Sequence, residues 1–202
     1  MKKILVTGAT GQLGSELTVA LRHVYGEGNV IAAGHRRQHD ADLLERGPCC
    51  SIEMRDAASL QEAVSQYGID AIFHLASVLS AVAEQKPQLA WEINMGGLHK
   101  VLEAAREHGC AVFFPSSIGA FGPGTPLENT PQVTVQRPNT IYGITKLAGE
   151  LLCDYYHHRF GVDVRGLRLP GLISHKTPPG GGTTDYAVEI FYSAITEGRY
   201  VC

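Results

Sequence analysis

The sequence predicts an α/β protein in which helices cover both faces of a doubly wound parallel sheet. Short apolar segments alternate with helix-length amphipathic segments along most of the 202 residues. The apolar segments have no polar face, which is typical of strands that are buried on both sides of a parallel sheet. Connections in such sheets are almost always right-handed crossovers, and this rule favours the doubly wound arrangement.

The elements follow from the spacing of apolar residues, taken in chain order. Strands are predicted over residues 3–7, 30–33, 52–54, 71–75, 111–115 and 164–169. Helices are predicted over residues 12–25, 59–67, 87–108 and 140–160. Two stretches rich in Pro, Gly and Thr are predicted to be loops, and loops of this length are usually functional or mobile; they cover residues 121–138 and 174–182.

The composition narrows the class of protein. With 44% hydrophobic residues, 18% charged residues and a formal net charge of -3, the chain is typical of a soluble globular protein. The weak negative charge gives no electrostatic reason to expect nucleic acid or an anionic membrane as a partner. No apolar run approaches the ~20 residues that span a bilayer. The five cysteines have no zinc-like spacing and the histidines are scattered, so we expect reduced thiols, a cytoplasmic location and no metal.

The N-terminal segment has the pattern of a phosphate-binding turn. A strand is followed by Gly8, Gly11 and Gly14 and then by a helix start. The first glycine permits a tight turn, the second lets backbone N–H groups approach a pyrophosphate, and the third lets the helix pack closely on the strand. The helix N-terminus offers unsatisfied donors and partial positive charge. The segment therefore predicts a dinucleotide site that includes Gly8, Gly11, Gln12, Leu13 and Gly14.

The position that contacts the adenosine ribose is less well defined. Dinucleotide folds usually carry an Asp or Glu at the end of the second strand, but this chain has Gly34 followed by His35 and Arg36. The basic residues either meet a 2′-phosphate, which would favour NADP, or are simply solvated. Asp56 follows the third predicted strand, where it is placed either to accept from the adenine amino group or to cap the next helix.

Three residues form a candidate catalytic group. Tyr142 and Lys146 are four positions apart in a predicted helix and so lie on one face. A nearby ammonium lowers the pKa of a phenol, about 10 in isolation, and prepares it to accept a proton from an alcohol. Ser117 follows the fifth predicted strand, where its hydroxyl is suited to bind the substrate oxygen. All three are expected at the carboxyl edge of the sheet, together with the phosphate-binding turn.

These motifs carry a resemblance to a known family. Residues 8–14 (GATGQLG), the Ser pair at 116–117 and the YGITK segment at 142–146 resemble the extended short-chain dehydrogenase/reductases. Within that family, the short-chain type of L-threonine 3-dehydrogenase is similar over residues 79–84, 115–123, 168–174 and 178–188. The PGGGTTDYA run in the last stretch is not general among the sugar-nucleotide members. The resemblance extends over nearly the whole chain.

The resemblance implies a Rossmann fold and the oxidation of L-threonine to 2-amino-3-oxobutanoate with NAD as acceptor. Ser117 and Tyr142 would hold the hydroxyl, Tyr142 would take its proton, and Lys146 would hold the nicotinamide ribose. Further cofactor contacts would come from Leu75, Ala76, Ser77, Pro170 and Leu172. Polar groups of the substrate would meet Ser80, Thr183 and Thr184, although either threonine could instead cap the following helix.

The resemblance also carries expectations about domains and assembly. Residues 1–170 would form the dinucleotide-binding domain and residues 171–202 the beginning of a substrate domain that this chain does not complete. Such a chain is expected to bind a dinucleotide better than it turns over substrate. Family members often dimerise through helices corresponding to 87–108 and 140–160, so a homodimer is possible. The family usually has Asp where this chain has Gly34, and the choice between NAD and NADP therefore stays open.

Two other functions compete with this interpretation. A sugar-nucleotide epimerase or dehydratase of the same superfamily would use the same cofactor with a larger substrate pocket. A non-enzymatic dinucleotide sensor would need only the turn at residues 8–14, and the presence of Ser117, Tyr142 and Lys146 together argues against it. His74, inside the fourth predicted strand, is interpreted as a core or cofactor-edge residue.

Overall fold

The computed structural model describes residues 2–35, 41–174, 182 and 184–201. Its centre is one six-stranded sheet whose strands are β1 (Ile4–Thr7), β2 (Val30–Gly34), β3 (Cys49–Ser51), β4 (Ala71–His74), β5 (Ala111–Ser117) and β6 (Val164–Leu169). Every neighbouring pair is parallel, and the strand order is β3-β2-β1-β4-β5-β6. This is the order of a doubly wound Rossmann sheet, so the predicted fold class is confirmed.

Helices pack on both faces of the sheet. They are α1 (Gln12–Tyr25), α2 (Ala41–Glu45), α3 (Ala57–Tyr67), α4 (Ser80–Gln85), α5 (Pro87–Trp91), α6 (Gly97–His108), α7 (Ile141–Phe160) and α8 (Tyr186–Thr196). On one face α1 covers β1 and β2, and Ile4, Val6 and Val30 form the core there. On the other face α3, α6 and α7 enclose the larger core. None of the helices in these described ranges is long and apolar enough to cross a membrane.

One strand and several helix boundaries differ from the prediction. The third strand was predicted over residues 52–54, which is wrong, because β3 spans Cys49–Ser51 and pairs with β2 only as far as Gly34. Ile52 and Met54 are nonetheless buried, since the chain beyond the strand turns inward and packs them into the larger core. Their apolar alternation was therefore real, but it reflected packing of a loop and not strand pairing. The short helices α2 and α4 were not predicted.

The long predicted helix over residues 87–108 is interrupted. Between α5 and α6 the chain makes one π-helical turn, Glu92–Gly96. The turn carries Asn94 into the interior, where its side chain accepts from the backbone N–H of Val78 at 2.8 Å and donates to the hydroxyl of Thr145 at 3.2 Å. Single π turns inside α-helices occur frequently at functional sites. Apolar spacing cannot reveal such a turn, because the spacing on either side is that of an ordinary helix.

The start of α1 lies close to the ends of β1 and β4. Gly8 has φ +70°, and a Cβ on it would lie 2.7 Å from the backbone nitrogen of Ala76. A Cβ on Gly14 would lie 2.1 Å from the carbonyl oxygen of Gly8. Both positions therefore exclude any side chain, which confirms the geometric reason given for these two glycines. A cleft lies beside this junction at the carboxyl edge of the sheet, where the strand order reverses.

Candidate active site

The cleft at the carboxyl edge of the sheet has two adjoining lobes. We call the larger one, about 560 Å³, the α7 lobe because Tyr142 and Lys146 of that helix line it. The smaller one, about 410 Å³, is the β2 lobe, because Ala33 and Gly34 at the end of that strand line it. The two lobes share part of their lining, namely Gly8, Gly11, Gln12, Leu75, Ser77 and Leu79. A dinucleotide-sized ligand could therefore lie across both.

Helix α7 carries two of the predicted catalytic residues into the α7 lobe. Thr140 caps the helix, its hydroxyl accepting from the backbone N–H of Gly143 at 3.1 Å. The Lys146 side chain is only 6% exposed, and its Nζ donates to the carbonyl of Pro115 at 2.8 Å. The same Nζ lies 5.5 Å from the centre of the Tyr142 ring. The predicted pairing on one helix face is thus present, with the ammonium beside the ring.

The pKa of Tyr142 differs from the sequence-based expectation. A lowered pKa was predicted from the nearby ammonium, but burial raises the pKa of this phenol above its ordinary value. A hydrogen bond with the Ser117 hydroxyl acts in the opposite direction and lowers it part of the way. The reason for the difference is that desolvation of the buried phenol outweighs the hydrogen bond from Ser117.

Burial also controls the charge of the two basic groups beneath the cleft. It lowers the pKa of Lys146 to about 8. Burial and the nearby Lys146 together lower the pKa of His74 to about 3, so His74 is neutral at physiological pH. The His74 ring nitrogen Nδ1 lies 2.9 Å from the hydroxyl of Thr7, which confirms the interpretation of His74 as a satisfied core residue. Lys146 is then the cationic group at this point of the cleft.

Ser117 ends β5 and faces the same lobe. Its Oγ accepts from the backbone N–H of Gly119 at 3.1 Å, which leaves the hydroxyl proton available to the Tyr142 phenol or to a ligand oxygen. The short helical turn Ile118–Ala120 that follows brings Gly119 against Tyr142. The end of the strand and the start of α7 therefore meet at the hydroxyl pair of Ser117 and Tyr142.

Most of the other predicted cofactor positions line the cleft. The α7 lobe is lined by Gly8, Gly11, Gln12, Leu13, Gly14, Leu75, Ser77, Pro170 and Leu172. The β2 lobe adds Ala76 and His35. Arg36 lies outside the described residues, so the structure says nothing of it. The Gln12 side chain donates to the carbonyl of Leu172 at 3.2 Å, which joins the start of α1 to the chain after β6.

Asp56 takes the capping alternative, and Glu53, for which no role was predicted, lines the cleft instead. Asp56 caps α3, its carboxylate accepting from the backbone N–H of Ala58 at 2.9 Å, as in the capping alternative. Glu53 lines the β2 lobe and lies 3.0 Å from the Nε2 of His35. Hydrogen bonds from Arg55 and the nearby His35 outweigh partial burial and lower the pKa of Glu53 to about 2. The misplaced third strand concealed Glu53, because the prediction put it in mid-strand.

Two of the residues expected to meet the polar groups of a substrate line the α7 lobe. Ser80 and Thr184 line it, whereas Thr183 lies outside the described residues. Asp185, which the sequence analysis did not single out, also lines this lobe and is 7% exposed. Its Oδ2 accepts from the backbone N–H of Gly182 at 2.8 Å. Buried carboxylates are unusual in proteins. The TTDYA run, which contains Asp185, was the sequence signal that could have identified this residue.

Asn94 is a second residue that the sequence analysis missed. Its Oδ1 accepts from the Ser77 hydroxyl at 3.1 Å and from the Val78 N–H at 2.8 Å, and its Nδ2 donates to Thr145 on α7 at 3.2 Å. It therefore joins the chain after β4 to the helix of Tyr142 and Lys146.

In the described part of the chain no group of three or more His, Cys, Asp or Glu side chains could hold a metal ion.

The glycine-rich turn fits the phosphates of a dinucleotide. Helix α1 starts after Gly11 with neither a side-chain cap nor an acidic residue in its first turn. The first backbone donors of the helix are therefore free of a competing carboxylate, and the helix end attracts an anion. A Cβ on Gly11 would meet a single neighbour, the Gly8 carbonyl at 3.2 Å. The side of this residue away from Gly8 is therefore open for close approach of a ligand.

The strand order and this helix start define a dinucleotide-binding protein of the Rossmann type. Ser117, Tyr142 and Lys146 line the same lobe as the glycine-rich turn. The chain belongs to the NAD dependent epimerase/dehydratase family, whose model matches residues 4–199.

Relatives and solved structures agree with that family. The chain is 54% identical over 200 residues to an uncharacterized epimerase/dehydratase of Staphylococcus saprophyticus, covering 99% of this chain and 62% of that protein. It is 57% identical to the L-threonine dehydrogenase of Clostridium difficile, with TM-score 0.93 over 100% of this chain and 63% of that one. A monomeric L-threonine 3-dehydrogenase from a metagenome is 44% identical, with TM-score 0.91 over 96% of this chain and 62% of that one. The chain thus spans less than two thirds of the length of these relatives.

Proposed function

We propose that this chain provides the cofactor site and the proton-transfer group of an NAD-dependent L-threonine 3-dehydrogenase. The observation that carries the proposal is that Ser117, Tyr142 and Lys146 share one lobe with the buried carboxylate of Asp185. A dinucleotide and an alcohol that bears a positively charged group would both find partners in that lobe. The similarity to solved L-threonine dehydrogenases supports the same substrate.

The residues along both lobes would hold the dinucleotide. Its pyrophosphate would lie at the start of α1 beside Gly11 and Gly14, and its adenosine would occupy the β2 lobe beside His35 and Glu53. Glu53, and not Asp56, would accept a hydrogen bond from the adenine amino group. A bound nicotinamide supplies the acceptor for the hydride that leaves the β-carbon of the substrate.

The proton of the substrate hydroxyl would pass to Tyr142. Ser117 would hold the substrate oxygen, and the phenolate of Tyr142 would accept the proton as the carbonyl of 2-amino-3-oxobutanoate forms. Because burial raises the pKa of this phenol, the phenolate needs help from nearby positive charge. Lys146 supplies it, since its ammonium lies 5.5 Å from the ring centre and is protonated below pH about 8.

The amino acid end of the substrate would be bound near α8. The Asp185 carboxylate is suited to the α-ammonium group, and the hydroxyls of Ser80 and Thr184 are suited to the carboxylate. An amino acid fits this set of partners better than a neutral alcohol does, because its ammonium group complements the Asp185 carboxylate.

One side-by-side assay tests the proposal. Purified protein is given NAD or NADP with L-threonine, L-serine or a nucleotide sugar, and the reduced dinucleotide is measured by its absorbance. We expect reduction with L-threonine above the other two substrates, and NADH binding whether or not turnover is fast. Binding of neither NADH nor NADPH would refute the cofactor site, and turnover of the nucleotide sugar alone would refute the substrate.

The second candidate function is epimerisation or dehydration of a nucleotide sugar. It is favoured by the epimerase/dehydratase description of the family and of the Staphylococcus relative. The site favours an amino acid substrate, because Asp185 would repel the diphosphate of a nucleotide sugar in the α7 lobe.

The choice between NAD and NADP is part of the same proposal. We infer a preference for NAD, because Glu53 keeps a carboxylate in the β2 lobe although β2 ends in Gly34. A negative charge at this point disfavours the 2′-phosphate of NADP. The comparison of NAD with NADP in the assay above tests this preference directly.

We also propose that the chain forms a homodimer through α7. Ile144, Leu151 and Tyr155 recur at helical spacing on this helix and are 39%, 62% and 54% exposed. Trp91 on the neighbouring α5 is 49% exposed. Apolar side chains grouped on packed helices are typical of an interface with a second copy.

A further inference from the structure

A partly buried ion pair lies close to the proposed catalytic residues but lines neither lobe of the cleft. Glu150 follows Lys146 by one turn of α7, and its carboxylate accepts from the Arg168 guanidinium of β6. The two bonds run from Nε to Oε1 at 2.9 Å and from Nη2 to Oε2 at 2.7 Å. The same carboxylate accepts from the hydroxyl of Ser116. One side chain of the catalytic helix is thus joined to the strand residue that precedes Ser117.

Arg168 extends the connection to the loop before α7. Its Nη2 donates to the side-chain oxygen of Gln136 at 3.1 Å, and its Nη1 donates to the carbonyl of Gln132 at 3.2 Å. Its guanidinium also lies 5.0 Å over the ring of Phe121. These contacts hold both ends of the loop at residues 121–140, which leads into Thr140, the cap of α7. The pair therefore connects the end of β5, the loop and the catalytic helix.

The environment of the pair indicates a role other than net stability. Both side chains are 19% exposed, so much of the attraction is offset by the cost of removing two charges from water. Burial raises the pKa of the Glu150 carboxyl, but the hydrogen bonds from Arg168 and Ser116 outweigh burial and leave this pKa lowered. Glu150 is therefore ionised throughout the physiological range, and the pair persists. A fork-like pair of this kind fixes orientation more than it adds stability.

We propose that Glu150 and Arg168 are positioning residues that set the placement of Ser117 relative to Tyr142. The inference rests on the proposed proton transfer between a substrate alcohol and Tyr142. The route is short, because Ser116 adjoins Ser117 and Glu150 lies on the helix that carries Tyr142 and Lys146. The glycine-rich turn lies on β1 and α1, away from the pair, so cofactor binding depends little on it.

Three variants test the proposal against a matched ion pair at the start of β6. Glu150→Gln removes the charge but retains the shape, Arg168→Lys retains the charge but loses the fork, and Ser116→Ala removes the link to the strand. Arg165 and Asp163 form an ion pair of similar length, 3.0 Å, whose side chains are 80% and 54% exposed. Arg165→Lys and Asp163→Asn are therefore the controls for Arg168→Lys and Glu150→Gln.

Each variant is measured for L-threonine oxidation, for NADH affinity, for melting temperature and for the pKa of Tyr142. The last comes from the ¹³C signal of labelled tyrosine, assigned by its loss in Tyr142→Phe. We expect kcat to fall about 10- to 100-fold in the three variants, as for small misplacements of reacting groups, with NADH affinity within about twofold of the unaltered protein. The pKa of Tyr142 should rise further, because the hydrogen bond from Ser117 weakens.

The outcomes separate positioning from a purely structural role. If Glu150→Gln and Arg168→Lys lower the melting temperature but leave kcat and the pKa of Tyr142 at the values of the two controls, the pair is structural and the inference is overturned. Unchanged values of all four quantities overturn it as well. If the unaltered protein oxidises no L-threonine, the proposed function fails, and the pKa of Tyr142 in the variants still decides this inference.

Discussion

At the scale of single residues, the proposed reaction depends most directly on Tyr142. Its hydroxyl meets Ser117 in the α7 lobe and is the group that accepts a proton in the proposed reaction. Tyr142→Phe should lower turnover of L-threonine by about 10²- to 10⁴-fold, the usual size of a proton-transfer contribution, with NADH affinity unchanged. Steady-state kinetics and fluorescence titration with NADH measure the two quantities.

Tyr155→Phe is the matched control for Tyr142→Phe. Tyr155 lies on the same helix but lines neither lobe, and its replacement by Phe keeps the ring of the proposed interface, so turnover should stay unchanged. Retention of most activity by Tyr142→Phe would show that another group takes the proton.

We expect the buried ammonium of Lys146 to lower the free energy of unfolding at neutral pH. Burial lowers its pKa from 10.5 to about 8, so the folded protein binds this proton less tightly than the unfolded chain. Stability therefore rises as pH increases from about 8 to about 10.5, and below pH 8 the buried ammonium is destabilising by up to about 3 kcal/mol. Lys146→Met should raise the free energy of unfolding at pH 7, with a gain that fades by pH 10, and should abolish turnover.

Urea unfolding at pH 7 and at pH 10 measures this effect. The lost hydrogen bond to Pro115 offsets part of the gain, so 3 kcal/mol is an upper bound. The control is Lys86→Met at an exposed position, which should change stability little at either pH. A gain in Lys146→Met that grows toward pH 10 would contradict the argument.

At the scale of elements, the junction of β1 with α1 decides whether a dinucleotide binds. A Cβ on Gly14 would lie 2.1 Å from the carbonyl oxygen of Gly8, so Gly14→Ala must push the helix away from the strand. We expect Gly14→Ala to destabilise the fold by about 1–3 kcal/mol and to abolish measurable NADH binding. Urea unfolding and NADH fluorescence are the measurements.

Gly28→Ala is the control for the glycine junction, since a Cβ at Gly28 would meet nothing within 4 Å. It should bind NADH normally and keep its stability within about 0.5 kcal/mol. Wild-type NADH affinity in Gly14→Ala would mean that the phosphates bind elsewhere.

Element prediction succeeded where local spacing carries the information and failed where packing decides. The boundaries of α1 and β6 were predicted to the residue, because glycines flank α1 and Pro170 follows β6. The third strand was misplaced, because Ile52 and Met54 alternate like strand residues although they pack as a loop. The π turn around Asn94 was not predicted, because only the contacts of Asn94 with Val78 and Thr145 stabilise it.

At the scale of the whole molecule, the exposed face of α7 should govern assembly. Leu151 lies in the middle of that face and is 62% exposed. Leu151→Glu places a charge in the proposed interface, so it should convert a dimer into a monomer, as measured by sedimentation velocity at micromolar concentration. A relative of similar fold is described as monomeric, so this measurement decides between a monomer and a dimer for this chain.

Leu127→Glu is the control for assembly, because Leu127 is 96% exposed in the loop before α7. It should leave the sedimentation coefficient unchanged. An unaltered protein that is monomeric at micromolar concentration would refute the dimer.

The sequence by itself determined the doubly wound fold, the glycine-rich turn and the membership of Tyr142 and Lys146 in one helix face. These features follow from local spacing and from backbone geometry that only glycine permits. The tertiary structure alone decided that Glu53 and not Asp56 lines the β2 lobe, that Asp185 is buried in the α7 lobe, and that Glu150 meets Arg168. The physical reason is that these contacts join segments far apart in the chain, and they depend on burial that no local pattern encodes.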